Sequence, residues 1–349
     1  MKTTAIICEF NPLHSGHKKL IDYAKGISDR VICIMSGNFT QRGMPACCDK
    51  YLRAAHAVKA GADLVIELPT IYATASAENF AYGGVAIADS IGVDSLLFGS
   101  ECGDIDELRR CAKLLTDKDV NAEIARMMTT GISYPTAVAA AVGSDALNSP
   151  NNVLAVEYIR ALQARESSVL PVTIKRENNF NGEPTEYASS GYLRQNADDR
   201  ERYSYDFVIR DIDDAIENKY KEFAARAVSL LSAEQLAATE GVTEGLENRI
   251  FKADKSNGYD AMLEQIKTKR YTRMKLQRII LNAVLSVTKD KAVQSKNAQP
   301  KIKALAVHES AVTLLRNLDE ETDELTRKAD RLYYTLSASK PPQKLIKLS

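Results

Sequence analysis

The sequence lacks several features that would place it in a broad class of protein. It has no tryptophan, and its 46 basic residues balance 46 acidic ones, so net charge indicates no nucleic-acid or acidic partner. Its six cysteines include no CxxC pair and do not cluster with the four histidines. This pattern argues against both a disulfide framework and a zinc site. We therefore expect no dedicated protein metal site.

Long apolar runs are also missing. The first apolar run, in MKTTAIICEFNP, is interrupted by Glu9, and no small-residue cleavage site follows it. It is therefore typical of a first strand and not of a signal peptide. No apolar stretch is long enough to span a membrane. These observations predict a cytoplasmic protein with no membrane partner, and the sequence indicates no obligate protein partner.

Short apolar runs dominate the first part of the chain. They lie at 3–8, 30–35, 63–68 and 95–98, alternate with helical segments, and are followed by another run at 169–175. Runs such as AIIC and VICIM lack polar alternation, as expected for strands that are covered on both faces. The alternation predicts an α/β fold with a Rossmann-like parallel sheet.

The strand pattern fades after about residue 200. Helices are predicted at 211–231, 246–267 and 274–287, and the last residues, SASKPPQKLIKLS, are expected to be loose. A chain of 349 residues that is 45% hydrophobic has room for two domains. We therefore predict an α/β domain at 1–200 and a mostly helical domain at 201–349.

The strongest motif, NPLHSGH at residues 11–17, follows the first strand directly. Gly16 lets the backbone approach a ligand closely, and a helix that begins here points free N–H groups at that ligand. His14 and His17 are suited to donate hydrogen bonds to charge that develops on a phosphate oxygen. The alternative is two histidines that only pack.

Two further segments carry candidate site residues. In SSGYLR, Ser190 and Arg194 are four residues apart and share a helix face, which suits phosphate binding, although a plain helix cap with a surface arginine has the same pattern. Gln41 and Arg42 follow the second strand, at the edge of the sheet where ligands bind. They either face a carboxylate or phosphate or lie in an exposed loop.

Longer stretches carry a family resemblance. EFNPLHSGH, MSGNFTQRGMPA, DKYLRAAHAVKAGADLVIELP, FGSE and SPNNVLAVEYIRAL together resemble the bacterial tRNA(Met) cytidine acetate ligase family of the HxGH nucleotidyltransferase-like superfamily. The resemblance is dense from Ile6 to Arg194 and thinner beyond. It implies a nucleotidyltransferase-like catalytic domain at 1–200 and a tRNA-contacting helical domain at 201–349.

The resemblance implies an ATP-dependent ligase. Such an enzyme activates acetate to acetyl-adenylate and transfers the acetyl group to N4 of the wobble cytidine of elongator tRNA(Met), giving N4-acetylcytidine. Mg²⁺, which such reactions usually need, is expected to be held mainly by the phosphates of ATP. No carboxylate cluster in the sequence indicates a protein cage for it.

The resemblance also implies site residues. Catalysis falls to His14, His17, Ser190 and Arg194, while Gly191 stands where the family usually has a hydroxyl residue. The implied ATP contacts are Ile7, Cys8, Glu9, Phe10, Asn11, Pro12, Leu13, His14, Ser15, Gly16, His17, Lys18, Lys19, Leu20, Gly99, Asn151, Asn152 and Arg176.

A basic stretch in the second part of the chain is the candidate tRNA-binding region. It contains a single acid, Asp290, among Lys267, Lys269, Arg270, Arg273, Lys275, Arg278, Lys289, Lys291, Lys296, Lys301 and Lys303. A local excess of positive charge suits a phosphate backbone, although most charge runs are solvated helix faces. Arg273, Lys275 and Arg278, which lie close together on a predicted helix, are the predicted tRNA-binding residues.

Two other functions remain open. A small-molecule adenylyltransferase, joining AMP to a phosphorylated cofactor precursor, would have a similar first half. A non-catalytic nucleotide- or RNA-binding protein would share the fold. The helical second part with its basic stretch favours a large RNA substrate, and the presence of His14, Gly16, His17 and Arg194 argues against a protein without activity.

Overall fold

The computed structural model describes residues 1–132, 134–177, 184, 186–243, 245–268, 271–316, 318–319, 321–340, 342 and 345–349. Within these residues one sheet contains seven strands. The strands are β1 (Thr3–Cys8), β2 (Arg30–Ser36), β3 (Leu64–Leu68), β4 (Ser95–Ser100), β5 (Leu170–Lys175), β6 (Ala304–His308) and β7 (Ile346–Leu348).

Helices connect and cover these strands. They are α1 (Ser15–Ile27), α2 (Lys50–Lys59), α3 (Thr70–Ala73), α4 (Ala77–Ser90), α5 (Ile105–Leu114), α6 (Lys118–Thr129), α7 (Tyr134–Val142), α8 (Pro150–Ala164), α9 (Ser190–Gln195), α10 (Arg200–Tyr203), α11 (Asp206–Ile209), α12 (Ile216–Ser229), α13 (Ala233–Ala238), α14 (Leu246–Lys252), α15 (Tyr259–Ile266), α16 (Arg273–Val284), α17 (Lys289–Asn297) and α18 (Glu324–Ser337). Short 3₁₀ segments lie at Asp145–Asn148, Ala197–Asp199 and Glu309–Leu315.

The predicted parallel sheet is confirmed. Its strand order is β5-β4-β1-β2-β3-β6-β7, and the five strands β1 to β5 are parallel to one another. From β1 the chain continues to β2 and β3 on one side and then crosses to β4 on the other. In sheets of this kind ligands bind beyond the carboxyl ends of the strands where the order reverses. That position is the gap between β1 and β4.

Two strands near the end of the sequence were not predicted. β6 pairs antiparallel with β3, with Leu64 opposite Val307, and β7 pairs parallel with β6. The expectation that strands fade after residue 200, with a loose tail, is therefore corrected at these positions. β6 reads ALAVH, and its alanines are strong helix formers, so local propensity gave no strand signal.

The later part of the chain therefore contributes to the sheet of the first part. The division at residue 200 stays a prediction. The helix predicted over 246–267 is in fact two helices, α14 and α15, because Gly258 before α15 has a φ of 88° that a helix cannot contain.

Both faces of the sheet are covered, as the unbroken apolar strands predict. Side chains such as Ile34 and Ile66 pack on one face against α4, α5 and α8. Side chains such as Cys33 and Val65 point to the other face and pack against α1 and α2. Among the described residues, no helix is both long and apolar enough to cross a membrane.

The helices of the later part enclose a core of their own. α12, α15, α16 and α18 contribute most of its buried side chains. Phe39 and Met44, which follow β2, are also buried in this core, and the Phe39 ring lies 5.6 Å from that of Tyr220. The helical core therefore packs directly on a loop at the carboxyl edge of the sheet.

The position of Leu305 provides a test of this arrangement. Its side chain is fully buried beside β3, so Leu305→Ala should lower the free energy of unfolding by about 2–5 kcal/mol in urea titrations. Leu170, on the opposite edge strand, is 61% exposed, and Leu170→Ala should cost less than about 1 kcal/mol. Equal losses in the two variants would contradict the placement of β6 in the sheet.

Candidate active site

His14 stands at the start of α1, directly beyond the end of β1. It is the N-cap residue, with extended backbone angles, and its Nδ1 accepts a hydrogen bond of 3.1 Å from the backbone N–H of Gly16. A neutral imidazole that accepts at Nδ1 carries its proton at Nε2. The cap therefore fixes the tautomer of His14 and leaves Nε2–H as its donor.

His17 lies one turn further along and stacks on His14. The ring centroids are 3.7 Å apart, and the edge of Phe10 packs against His17 at 4.9 Å. Burial, followed by the charge of Arg176, lowers the pKa of His14 to about 3. Burial, His14 and Arg176 lower the pKa of His17 well below its usual range. Both rings are therefore neutral at pH 7, and each offers one N–H donor.

A cleft opens beside the two histidines. Arg176, which follows β5, forms one wall, and its buried Nε has no hydrogen-bond partner among the described residues. Gly99 permits this approach, because a Cβ there would lie 3.0 Å from Cγ of Arg176. The cleft is lined by His14, Gly16, His17, Lys19, Leu20, Gly99, Ile174, Lys175, Arg176, Glu177 and Tyr187. A positive wall facing two N–H donors suits a polyphosphate.

The second motif holds the loop before the histidines. Ser190 Oγ donates to the carbonyl oxygen of Pro12 at 3.0 Å, and Arg194 donates through Nη1 to the carbonyl oxygen of Asn11. Ser189 caps α9 through the N–H of Tyr192. The structure therefore places Ser190 and Arg194 at the predicted site. Both side chains contact the backbone of the loop that precedes the histidines.

The strand end and α1 supply the remaining residues of the predicted ATP segment. Ile7 and Cys8 are buried on opposite faces of the sheet, so a ligand beyond β1 can reach their backbone but not their side chains. Lys18 pairs with Asp22 on the surface of α1. Lys19 pairs with Glu177 at 2.6 Å and lines the cleft.

Asn151 and Asn152 lie at the start of α8, beside the loop that follows β4. The Glu101 carboxylate accepts from the Asn151 side chain at 2.7 Å and from the Asn152 backbone at 2.8 Å. Asn152 Oδ1 in turn accepts from the backbone N–H groups of Glu101 and Cys102. Both asparagines therefore shape this loop, and their contact with ATP stays a prediction.

The three predicted tRNA-binding residues have different surroundings. Arg273 pairs with Asp260 and Glu264, while Lys275 lies 4.7 Å from the centre of the Tyr271 ring. Arg278 points inward, towards the loop after β2. The predicted role of all three in tRNA binding stays a prediction. Lys269 and Arg270, from the same basic stretch, lie outside the described residues.

A buried polar network near the site was missed. Lys50 Nζ, almost fully buried, lies 2.6 Å from Glu67 Oε1 and 2.5 Å from Asp330 Oδ2, and Asn38 also donates to Asp330. Asp330 is on α18, far along the chain, so no local pattern indicated this contact. Among the described residues, no group of three or more His, Cys, Asp or Glu side chains is arranged to hold a metal ion.

Comparison with known proteins identifies the family of this chain. A family model described as HIGH Nucleotidyl Transferase matches residues 1–335. A tRNA(Met) cytidine acetate ligase of Thermoanaerobacter sp. (strain X514) is 34% identical over 351 residues, covering 92% of this chain and 87% of the relative. The chain belongs to the tRNA(Met) cytidine acetate ligase family of HIGH nucleotidyl transferases.

Other proteins are also similar to this chain over most of its length. The tRNA(Met) cytidine acetate ligase of Acetivibrio thermocellus is 36% identical over 323 residues, covering 82% of this chain and 78% of the relative. The crystal structure of apo Thermotoga maritima TmcAL has a TM-score of 0.84 at 26% identity and covers 97% of this chain and 96% of its own. TmcAL bound with alpha-thio ATP has a TM-score of 0.81 at 27% identity, with coverages of 98% and 89%.

The lowered pKa of His14 predicts how stability depends on pH. The unfolded histidine takes up a proton below about pH 6.5, whereas folded His14 does so near pH 3, so stability falls as the pH drops between these values. His14→Asn keeps a cap acceptor but removes the titrating group. We expect it to reduce the slope of unfolding free energy against pH by ~1.4 kcal/mol per pH unit, measured in urea at about pH 4–6. An unchanged slope would mean that His14 titrates normally.

Proposed function

We propose that this chain is an ATP-dependent tRNA(Met) cytidine acetate ligase. It activates acetate to acetyl-adenylate and transfers the acetyl group to N4 of the wobble cytidine of elongator tRNA(Met). The observation that carries this proposal is the pair of neutral, stacked histidines beside Arg176, in a chain that aligns with proteins of that name over most of its length. The substrates proposed are ATP, acetate and tRNA, in the cytoplasm, and no second protein is required.

The first half-reaction is attack of an acetate oxygen on the α-phosphorus of ATP. The new P–O bond forms as the bond to the bridging oxygen breaks, and pyrophosphate leaves with the electron pair. His14 Nε2–H and the N–H of His17 are proposed to donate to the negative charge that develops on these oxygens. Because both rings are buried and fixed, little reorganisation is needed, which is the condition under which such donors are most effective. Arg176 and the amino end of α1 add positive potential on the same side.

The second half-reaction is attack of the cytidine N4 amine on the acetyl carbonyl carbon. AMP leaves with the electrons of the broken C–O bond, and N4 loses a proton as the amide forms. Ser190 and Arg194 hold the carbonyls of the loop at Asn11 and Pro12, so they are proposed to keep the histidines in place during both steps.

Mg²⁺ is proposed to accompany ATP. When bound, it would offset phosphate charge, with phosphates and water as most of its ligands. Among the residues that the structure describes, no set of acidic or imidazole side chains is arranged to hold the ion, so the nucleotide and water would supply its ligands.

The proposal can be tested by direct product analysis. The protein is incubated with ATP, Mg²⁺, labelled acetate and total tRNA, and the digested tRNA is examined for labelled N4-acetylcytidine. We expect this product from the wild type and much less of it in excess chelator. For His17→Ala we expect acetyl-adenylate formation to fall by more than about tenfold, because loss of one such donor typically costs ~10²–10³ in rate.

Two outcomes would favour the alternatives. Transfer of AMP to a phosphorylated cofactor precursor, with no acetylated tRNA, would indicate a small-molecule adenylyltransferase. ATP or tRNA binding without any turnover would indicate a non-catalytic binding protein. Wild-type turnover by His17→Ala would contradict the role proposed for the imidazole pair.

The basic stretch is proposed to bind the tRNA backbone, and Arg273 and Lys275 allow a test. Charge reversal of both to Glu should weaken tRNA binding and flatten the plot of log K against log salt by about 1.5, since each phosphate contact contributes ~0.7–0.9. Acetyl-adenylate formation without tRNA should stay near the wild-type rate. Arg278 is left unchanged because its guanidinium already binds a backbone carbonyl.

A matched control reverses the same amount of charge elsewhere. Lys118 and Arg126 are exposed on α6, and their double replacement by Glu should leave the salt slope for tRNA unchanged. Circular dichroism of both variants must show wild-type helical content. Equal tRNA affinity and salt slope in the two variants would place the RNA contact elsewhere.

A further inference from the structure

The turn at Thr40–Gly43, beyond the end of β2, is attached to the candidate active site. It closes through hydrogen bonds from the N–H of Thr40 to the Met44 carbonyl oxygen at 3.0 Å and from the N–H of Gly43 to the Thr40 carbonyl oxygen at 2.8 Å. The N–H of Gln41 donates to Oε1 of Glu9, at 2.7 Å. Because Glu9 directly follows β1, the turn is tied to the strand that leads to the histidines.

The helical part of the chain holds the other side of this turn. Arg278 of α16 donates through Nη1 to the carbonyl oxygen of Gln41 at 3.2 Å. Gly43 has a φ of 72°, and a Cβ there would lie 2.5 Å from the backbone nitrogen of Arg278. Two backbones thus meet with no room for a side chain at Gly43. The position of the turn is therefore set by α16.

Arg42 projects from this turn towards the start of α9. Its Nη2 lies 3.5 Å from the point that a Cβ on Gly191 would occupy, and Nη2 of Arg194 lies 3.8 Å from the same point. Gly191 has no side chain, which leaves space where the two guanidinium groups approach. Among the described residues, neither guanidinium forms an ion pair within 4.0 Å.

Two cations held this close repel each other. Burial, and then the charge of Arg42, lower the pKa of Arg194, while Cys47, Glu9 and Glu217 oppose this change. Repulsion of this kind is relieved when an anion binds between the groups, and a guanidinium pair matches the planar or tetrahedral oxygens of carboxylate and phosphate. The arrangement is therefore suited to an oxyanion.

We propose that Arg42 completes an oxyanion-binding site beside Arg194 and there contacts a phosphate group of ATP or the carboxylate of acetate, and that Arg278 positions Arg42. This inference rests on the proposed function for its choice of ligands. It assigns Arg42 to direct contact with substrate. It also makes Arg278 a positioning residue that acts on the first half-reaction, through the carbonyl of Gln41, and not through RNA.

Binding measurements distinguish the two sources of the oxyanion. A non-hydrolysable ATP analogue is titrated into the wild type, Arg42→Gln and Arg42→Lys, and carbon-13 acetate is then titrated into each analogue complex. We expect Arg42→Gln to weaken one of the two affinities by about tenfold or more, since a hydrogen bond to a charged group is lost. Arg42→Lys keeps the charge but not the fork geometry, so it should lose less.

These titrations do not depend on turnover, so they separate this inference from the proposed function. Absence of acetylated tRNA with wild-type protein would count against the function. Unchanged affinities for both ligands in Arg42→Gln would overturn the oxyanion site, whatever the activity. A loss confined to the analogue would assign the phosphate, and a loss confined to acetate would assign the carboxylate.

The positioning role of Arg278 has its own test. Arg278→Met should weaken the same ligand as Arg42→Gln, by about threefold to tenfold, and the double variant should lose less than the product of the two single effects. Arg249 is a matched control, because its guanidinium also donates to a backbone carbonyl, that of Gln265, on the surface of the helical part. Arg249→Met should change neither affinity.

A purely structural role for Arg278 gives a different result. Arg278→Met would then lower the melting temperature while the affinities for analogue and acetate stayed at wild-type values. The positioning role would also be overturned if the double variant lost affinity by the full product of the two single effects, because the two residues would then act independently.

Discussion

The active-site edge of this protein depends on one buried cation, Arg53. Its side chain is fully buried, and its guanidinium donates to the backbone carbonyls of Cys48, Glu9, Ser36 and Gly37. A charge removed from water is tolerated when hydrogen bonds in the protein replace those to water, so these four carbonyls must stay where they are. Ser36 is the last residue of β2 and Gly37 follows it, while Glu9 follows β1. Arg53 thereby fixes the loops after both central strands, on which the histidine loop and the turn carrying Arg42 are built.

Much of the fold could be predicted because its signals are local. Unbroken apolar runs gave the five parallel strands, and the motif after the first run gave the start of α1 and its two histidines. β6 and β7 could not be found in this way, because a strand of five residues rich in alanine acquires its conformation from pairing with β3. The Lys50, Glu67 and Asp330 contacts join three elements that only the folded chain brings together.

The residues of the candidate site carry signals in the sequence, but the geometry of the site does not. The structure places His14, His17 and Arg176 at one cleft, and their roles in catalysis and ATP binding stay predictions. The cap that fixes the tautomer of His14, and the carbonyl contacts of Ser190 and Arg194, depend on backbone positions that a residue pattern does not specify. For the same reason, Arg278 was grouped with surface lysines, although it faces the turn at Gln41.

The late arrival of β6 has a consequence for synthesis on the ribosome. β3 ends at Leu68, but the strand that covers its free edge begins at Ala304. At a translation rate of ~5–20 residues per second, the nascent chain carries an unpaired apolar strand edge for roughly 10 to 50 s. Such an edge can pair with another chain, which is a route to aggregation. The helices made in the interval, or a chaperone, must therefore shield the edge of β3 until the last part of the protein leaves the exit tunnel.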